Sequence, residues 1–391
     1  MTDTASPSVA SPVRVRDTRD LLSVVPYLLG YRPTECVAVV CVRPGGGLGL
    51  VARTDLSDLL RPARRTEIAD LVARRAAQDG TVAAWVVVYT DEVTGPGSTV
   101  RAVSDAFAAA LDAVVPEHES WVVGRERYRS LDCADPLCCA PEGYPVDGLE
   151  STAPGAELVL AGRAPLPTRD ALYRIPRAEQ NRRDLAGRAA GRWDRARAVA
   201  VDAGPHDAAS WRARAFDDWL TATRTASADG TVAPALLGRL AVALDDRSVR
   251  DAVLLWATPG GAGCAAAVAR GDDDGDTDSA VAAAMAAVVG GDAACPPDEG
   301  LLQTCVTVLE DVVAHAQRGR TTAPLTLLAF LAWWSGEGAR AGFRCAEAQA
   351  VDPGYRLAGL VGAALDAGLP PGWVRARRIG GVAAGYGGDL G

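Results

Sequence analysis

Three thiols, Cys133, Cys138 and Cys139, fall in "LDCADPLCCAPEGYP", residues 131–145. Three chemistries could use them. A structural zinc site wants four Cys or His ligands, usually as two short pairs. Here the spacing is C-x4-C-C, and a fourth ligand would have to come from His118, Cys36 or Cys41. A redox pair could form if Asp135-Pro136 turns Cys133 back toward Cys138, although C-x-x-C is the usual spacing. The third reading is a compact loop whose cysteines pack as small hydrophobes. Adjacent side chains in an extended chain project to opposite sides, so at most two of the three sulfurs are expected to converge. The metal-free loop is therefore the favoured reading, with Cys133, Cys138 and Cys139 as a metal set the alternative.

Other candidates are weaker. Asp55, in "ARTDLSD", stands where a carboxylate at a strand end could act with Arg53, but capping of the following turn is the simpler role. "GAGCAA" (261–266) matches a dinucleotide-binding G-x-G-x-x-A, yet it lies among helical patterns rather than in a βαβ unit. "GDDDGDTDS" (271–279) has its Gly at the wrong offset for a calcium loop and reads as an acidic surface loop. Three His, at 118, 206 and 315, form no metalloprotease motif, and no G-x-S-x-G elbow is present. All 40 basic residues are Arg, which removes phosphate-loop, kinase and Schiff-base lysines from consideration. No cofactor is implied.

Eight Arg lie between 174 and 197, against Glu179, Asp184 and Asp194. Arg182, Arg183, Arg188 and Arg192 could meet an acidic partner, an RNA backbone or the acidic helical domain of the same chain; a solvated helix with local ion pairs is the favoured reading. The formal net charge of −9 argues against general nucleic-acid binding, which needs a positive field. Nine scattered Cys do not make a secreted disulfide framework. The polar opening "MTDTASPSVASPVRVRDTRD" lacks an apolar signal core, and the most apolar runs fall short of the roughly 18 residues that span a bilayer. A reduced cytoplasmic location, away from membranes, is expected.

The elements that would position these groups follow from periodicity. Residues 1–16 read as a flexible tail. A short helix is expected from residue 20, broken at Pro26. "CVAVVCV" and "LGLVAR" make a hairpin around "PGGG", and "TVAAWVVVYT" and "WVVG" are core strands. Helices are expected over 62–78 and from Val100 to Val114. Together these predict an α/β domain over 17–165 with a layered, mixed sheet. The Pro-rich segment 163–177 marks a boundary. Residues 176–372 read as an all-α domain of helical hairpins, and 373–391 as a Gly-rich tail. In that domain Gly336, Ala341, Ala348 and Pro353 are spaced as in one tetratricopeptide-like unit. A hairpin there is expected to bury Trp333 more deeply than Trp334.

"LLSVVPYLLGYRP", "ARTDL", "DCADPLCCAPEG", and "AWWSGEGA" followed by "DPGYRLA" together resemble the actinobacterial family known as domain of unknown function 4192. The resemblance covers most of the chain and implies a bacterial cytoplasmic protein; it carries no activity.

Two functions are open at this stage. The favoured one is an interaction protein whose helical domain docks another protein. The alternative is an enzyme or small-ligand sensor with its site near Arg53, Asp55 and the Cys loop.

Overall fold

A computed structural model describes residues 15–375, apart from 93, 94, 96, 134, 273 and 291–293. The chain divides into two compact units, one ending at Arg174 and one beginning at Ile175. The expected tails at 1–16 and 373–391 lie almost wholly outside the described residues.

The first unit is α/β. Its strands are β1 (Cys36–Val42), β2 (Leu48–Asp55), β3 (Ala83–Tyr89), β4 (Glu117–Val123), β5 (Arg127–Ser130) and β6 (Tyr144–Pro145), and its helices are α1 (Thr18–Leu29), α2 (Pro62–Gln78), α3 (Thr99–Asp112), α4 (Asp147–Glu150), α5 (Ala153–Leu160) and α6 (Arg169–Tyr173). The strands form one mixed sheet in the order β2-β1-β3-β4-β5-β6. Only β3 and β4 run parallel, joined through α3; the other neighbours are antiparallel.

Strand parity divides the core. Val37, Val39, Cys41, Val86 and Val88 face Ala69, Ala73, Val103 and Phe107 of α2 and α3. Cys36, Ala38, Val40, Val87 and Tyr89 face Leu21, Leu22 and Val25 of α1 and Leu149 of α4. Burial on both faces explains why β1 and β3 read as unbroken apolar runs rather than alternating ones. The strands β5 and β6 went unpredicted, because they are short and dominated by Arg and Tyr.

Pro26 does not break α1. Asp17 caps the helix by accepting from the Asp20 amide, and Gly30 ends it with φ 79°. Leu21, Leu22 and Val25 are buried against the sheet. That packing outweighs the one hydrogen bond Pro26 cannot donate, to the carbonyl of Leu22.

The second unit is all-α: α7 (Gln180–Ala203), α8 (Pro205–Ser227), α9 (Pro234–Ala243), α10 (Arg247–Trp256), α11 (Ala262–Arg270), α12 (Gly275–Val289), α13 (Glu299–His315), α14 (Thr322–Trp334), α15 (Gly338–Val351) and α16 (Arg356–Asp366). Helices α7 and α9 touch backbone to backbone. A Cβ on Gly238 would stand 2.0 Å from the Ala186 carbonyl oxygen, so only Gly fits there.

Every residue of α14 is buried, with α13, α15 and α16 packed on it. This corrects the expected order of the two Trp. Trp334 is 1 % exposed and Trp333 7 %. The expectation placed Trp333 on the side facing the small residues Ala341 and Ala348, but α14 is covered on every side, so that side has no special claim to the deeper ring. The acidic segment is also corrected: Asp274 caps α12 by accepting from Thr277 N, and residues 275–279 are helical rather than loop. "GAGCAA" is the start of α11, and the element before it is helix α10 rather than a strand, which removes the dinucleotide reading.

Candidate ligand-binding site

The one parallel strand pair ends at a cavity of about 610 Å³. Tyr89, Thr90 and Asp91 lead out of β3, and Val123, Gly124 and Arg125 out of β4. Arg32 to Glu35 lead into the neighbouring end of β1, and α1 and α4 supply Leu22, Tyr27 and Leu149. Ligands of open α/β sheets bind outside the carboxyl ends of parallel strands for this geometric reason: the chain turns away and leaves space.

Its floor is apolar and its rim carries charges of both signs. The Thr90 hydroxyl donates to Glu35 at 3.0 Å from Oε1. Glu35 itself sits at φ 44°, a left-handed conformation that costs a non-Gly residue about 1–2 kcal/mol. Arg125 donates its amide to Asp91 Oδ1 at 2.8 Å and pairs through Nε with Oδ2 at 2.9 Å. Arg32 pairs with Glu150 at 2.7 Å. A Cβ on Gly124 would meet Asp91 Oδ1 at 3.0 Å, so Gly lets the β4 backbone approach Asp91. The Tyr89 hydroxyl is buried without a hydrogen-bond partner among the described residues. Burial raises its pKa well above the ordinary value, so it remains a neutral donor.

The sequence-predicted residues lie elsewhere. Arg53 and Asp55 sit on edge strand β2, opposite Ala38 and Cys36. Asp55 occupies the N-cap position of the 3-10 turn Leu56–Leu59, but its side chain makes no cap hydrogen bond. It accepts instead from Arg53 at 2.5 Å and from Arg169 at 3.5 Å. Arg53 is nearly buried. Burial disfavours its charge, but the Asp55 hydrogen bond and the neighbouring Cys36 and Tyr31 together raise its pKa. Burial pushes the Cys36 thiol up despite Arg53. This is a compensated buried charge, and neither Arg53 nor Asp55 lines the cavity.

The Cys loop follows β5, on the other side of the sheet. From β2 to β5 is four strand spacings, about 19 Å. Arg53, Asp55 and Cys133 therefore do not form one pocket. Within the loop the expectation of two converging sulfurs is overturned: Cys133, Cys138 and Cys139 Sγ all lie within 4.8 Å of one another. The chain there is a turn, not extended, with Cys138 and Cys139 amides both donating to the Asp135 carbonyl. Hydrogen bonding at the Asp135 backbone, then to the other thiols, lowers the Cys133 pKa. The Cys133 contact and burial push Cys139 up to about 12. A groove lined by Pro141 and Glu142 of this loop shares Thr90, Asp91, Gly124 and Arg125 with the cavity.

Of the basic helix, Arg182 donates from Nε to His315 Nε2 at 3.3 Å, and Arg183 donates to Gln180. Arg188 and Arg192 are exposed. The residues that sequence reasoning missed are Arg32, Glu35, Thr90, Asp91, Gly124 and Arg125. Arg32 falls within the quoted "LLSVVPYLLGYRP", but no motif marks the others; their one signal is position beside strand ends.

A family model described as domain of unknown function (DUF4192) matches residues 19–372. The chain belongs to that family. The match runs through both units, so the α/β and helical parts are together the family's architecture. No curated protein and no solved structure matches the chain. No described helix is long and apolar enough to cross a membrane.

Proposed function

We propose that the α/β unit is a small-molecule binding module whose ligand occupies the cavity outside β3 and β4. The observation that carries this reading is the cavity itself: about 610 Å³, with an apolar floor and convergent polar groups at a sheet end. The ligand is a metabolite with an apolar body and a polar head. Leu22, Val123 and Leu149 suit the body. The Glu35–Thr90 pair and the Arg32 and Arg125 guanidinium groups suit the head. No reaction is assigned: the Thr90 hydroxyl does face the Glu35 carboxylate, but no third group among the described residues orients that carboxylate. The setting is the bacterial cytoplasm, a reading supported by nine cysteines that are all free thiols.

The helical unit has a second reading, as a docking surface for an acidic segment of another protein. What favours it is the exposed face of α7, where Arg188, Arg192 and Arg195 stand without ion-pair partners among the described residues and Val199 is 68 % exposed.

The test is native mass spectrometry of the full chain captured from its own cytosolic extract. A defined small molecule is expected on the parent protein and is expected to be lost from Val146→Trp, which fills the cavity from a half-buried position. Retention of the same molecule by Val146→Trp, or no retained molecule above background, removes the reading. A change only in co-purifying proteins, abolished by Arg188→Glu and Arg192→Glu, supports the docking surface instead.

A further inference from the structure

The three converging thiols have no role in the cavity and call for their own account. The Sγ atoms of Cys138 and Cys139 are 4.0 Å apart, and Cys133 Sγ completes a triangle within 4.8 Å. Metal–sulfur bonds of about 2.3 Å place two sulfurs about 3.8 Å apart on a tetrahedral ion and about 4.0 Å apart on a trigonal one. The thiols already stand near those separations. A disulfide needs sulfurs about 2.05 Å apart and would strand the third thiol.

The triangle is set by the backbone. Ser130 Oγ accepts from the amides of Asp132 and Cys133 at 3.2 and 3.1 Å. Asp135 Oδ1 accepts from Leu137 N at 2.9 Å, and its carbonyl takes the Cys138 and Cys139 amides at 3.2 and 2.8 Å. From β6, the Tyr144 hydroxyl donates to the Cys138 carbonyl at 2.8 Å. Apolar packing does not organise this loop, since Leu137 at its tip is 97 % exposed. Cysteines acting as small hydrophobes look different in this same chain: Cys36, Cys41, Cys264, Cys305 and Cys345 are each buried. Cys138 is exposed, with Cys133 and Cys139 half-buried beside it.

Charge is provided for as well. Three thiolates around a divalent ion leave a net negative centre. Arg127 and Arg129 donate to the loop carbonyls of Gly143 and Pro141 at 2.8 and 3.3 Å, which keeps two guanidinium groups against the loop.

We propose that Cys133, Cys138 and Cys139 bind one thiophilic d10 cation, Zn²⁺ or Cu⁺, through three thiolates, with any fourth position open to solvent. Soft thiolate donors select these ions over hard cations. Each S–H bond is replaced by an S–metal bond and its proton passes to solvent, so no electrons are transferred. The bound ion fixes the loop whose Pro141 and Glu142 wall the groove beside the cavity. The proposal does not rest on the cavity having a ligand.

The experiment uses the full chain, purified reduced and without chelator, titrated with Zn²⁺ alone and with Cu⁺ alone against a chromophoric competitor. One ion per chain is expected, with Co²⁺ substitution giving a sulfur-to-metal charge-transfer band. Cys138→Ser is expected to weaken binding by about tenfold or more, since loss of outer-shell support alone costs that much elsewhere. Cys138 is exposed, so the fold should survive its substitution. Cys264→Ser, outside the loop, should leave binding unchanged. Preference between the two titrations identifies the ion, and loss of both in Cys138→Ser supports the shared site. A fully reduced protein that takes up neither ion overturns the proposal. So does uptake that survives both Cys133→Ser and Cys138→Ser.

Discussion

In the α/β unit, the left-handed Glu35, the unpartnered Tyr89 hydroxyl and the Arg32–Glu150 and Asp91–Arg125 pairs gather at one end of the sheet. In the helical unit, α14 is buried along its whole length, and the void beside Trp219 and Leu331 holds only about 10 Å³. An open groove beside α15 and α16, about 290 Å³, is lined largely by small residues. The contrast follows from architecture. Parallel strands must end where their chains turn away, which leaves backbone and side-chain polar groups around a space. Antiparallel helical packing closes on its own side chains, and Gly238, Ala341 and Ala348 let it close tightly. The helical unit has strain and unpaired groups too, in Asp229 at φ 54° and the indole N–H groups of Trp193, Trp211 and Trp219, so what supports the proposed ligand is the gathering of Glu35 and Tyr89 at one cavity rather than their mere presence. Tight burial in the second unit points to stability.

The largest expected effect tests the stability half of that contrast. Trp334→Ala removes a fully buried ring and the hydrogen bond from its Nε1 to the Cys295 carbonyl. The cost is expected to be about 3–5 kcal/mol, the range for a buried aromatic. Trp333→Ala should cost less, because that ring is slightly more exposed, although it also loses the bond to the Leu369 carbonyl. Seven of the nine Trp lie in the helical unit, all except Trp85 and Trp121, so fluorescence-detected urea unfolding reports on it. Equal midpoints for Trp334→Ala and the parent would mean α14 is not the central element described here.

An intermediate effect tests the other half. Glu35→Gly relieves the positive φ at the cavity mouth and removes the carboxylate that Thr90 contacts. Stability is expected to rise by up to about 1 kcal/mol, the left-handed penalty offset by the greater unfolded freedom of Gly. Retention of the small molecule in native mass spectrometry is expected to fall. A more stable variant that still holds the molecule would show that the strain has no part in binding. A less stable one would show that the Thr90 contact outweighs the strain.

Much of this architecture was legible in sequence. The Val runs of β1 and β3 and the helical periodicity of α2 and α3 reported a layered α/β unit because burial on two faces imposes those patterns. The loss of strand patterns after residue 176 reported helices. Beyond the short strands β5 and β6, the Trp order and the start of α12, three features of most consequence were not legible. Pro26 argued for a break, but local propensity yields where Leu22 and Val25 are pinned to a sheet. Cys138 and Cys139 were expected to diverge, because that rule describes extended chain and these residues lie in a turn closed on Asp135. The polar cavity residues outside "LLSVVPYLLGYRP" carried no motif, and that motif itself named no site. Glu35, Asp91 and Arg125 look like ordinary polar loop residues until strand order places three chain ends together.

The smallest expected effect is the helical unit's response to acid. In the helical unit, burial raises the pKa of Asp218, Asp245 and Asp311 above the ordinary 3.8, against the opposing pull of Arg239 on the first and Arg320 on the second. Asp311 is opposed by His315 and Arg182. The sign follows from linkage. With the folded value raised, the folded state takes up the proton first, so its stability gains as pH falls through that value. The gain is complete below the unfolded value and is lost as pH rises back through the folded one. At neutral pH each of these charges is thus held at a cost. Asp311→Asn removes one charge without changing the side chain's shape. It should match or slightly exceed the parent in urea unfolding at pH 7, with the difference shrinking as pH approaches 3.8. The cavity-rim pair of Arg125 and Asp91 is 86 % and 49 % exposed, so added salt should weaken it. If Asp311→Asn is the less stable protein at pH 7, attraction to His315 and Arg182 outweighs burial, and the helical unit gains from that charge instead of tolerating it.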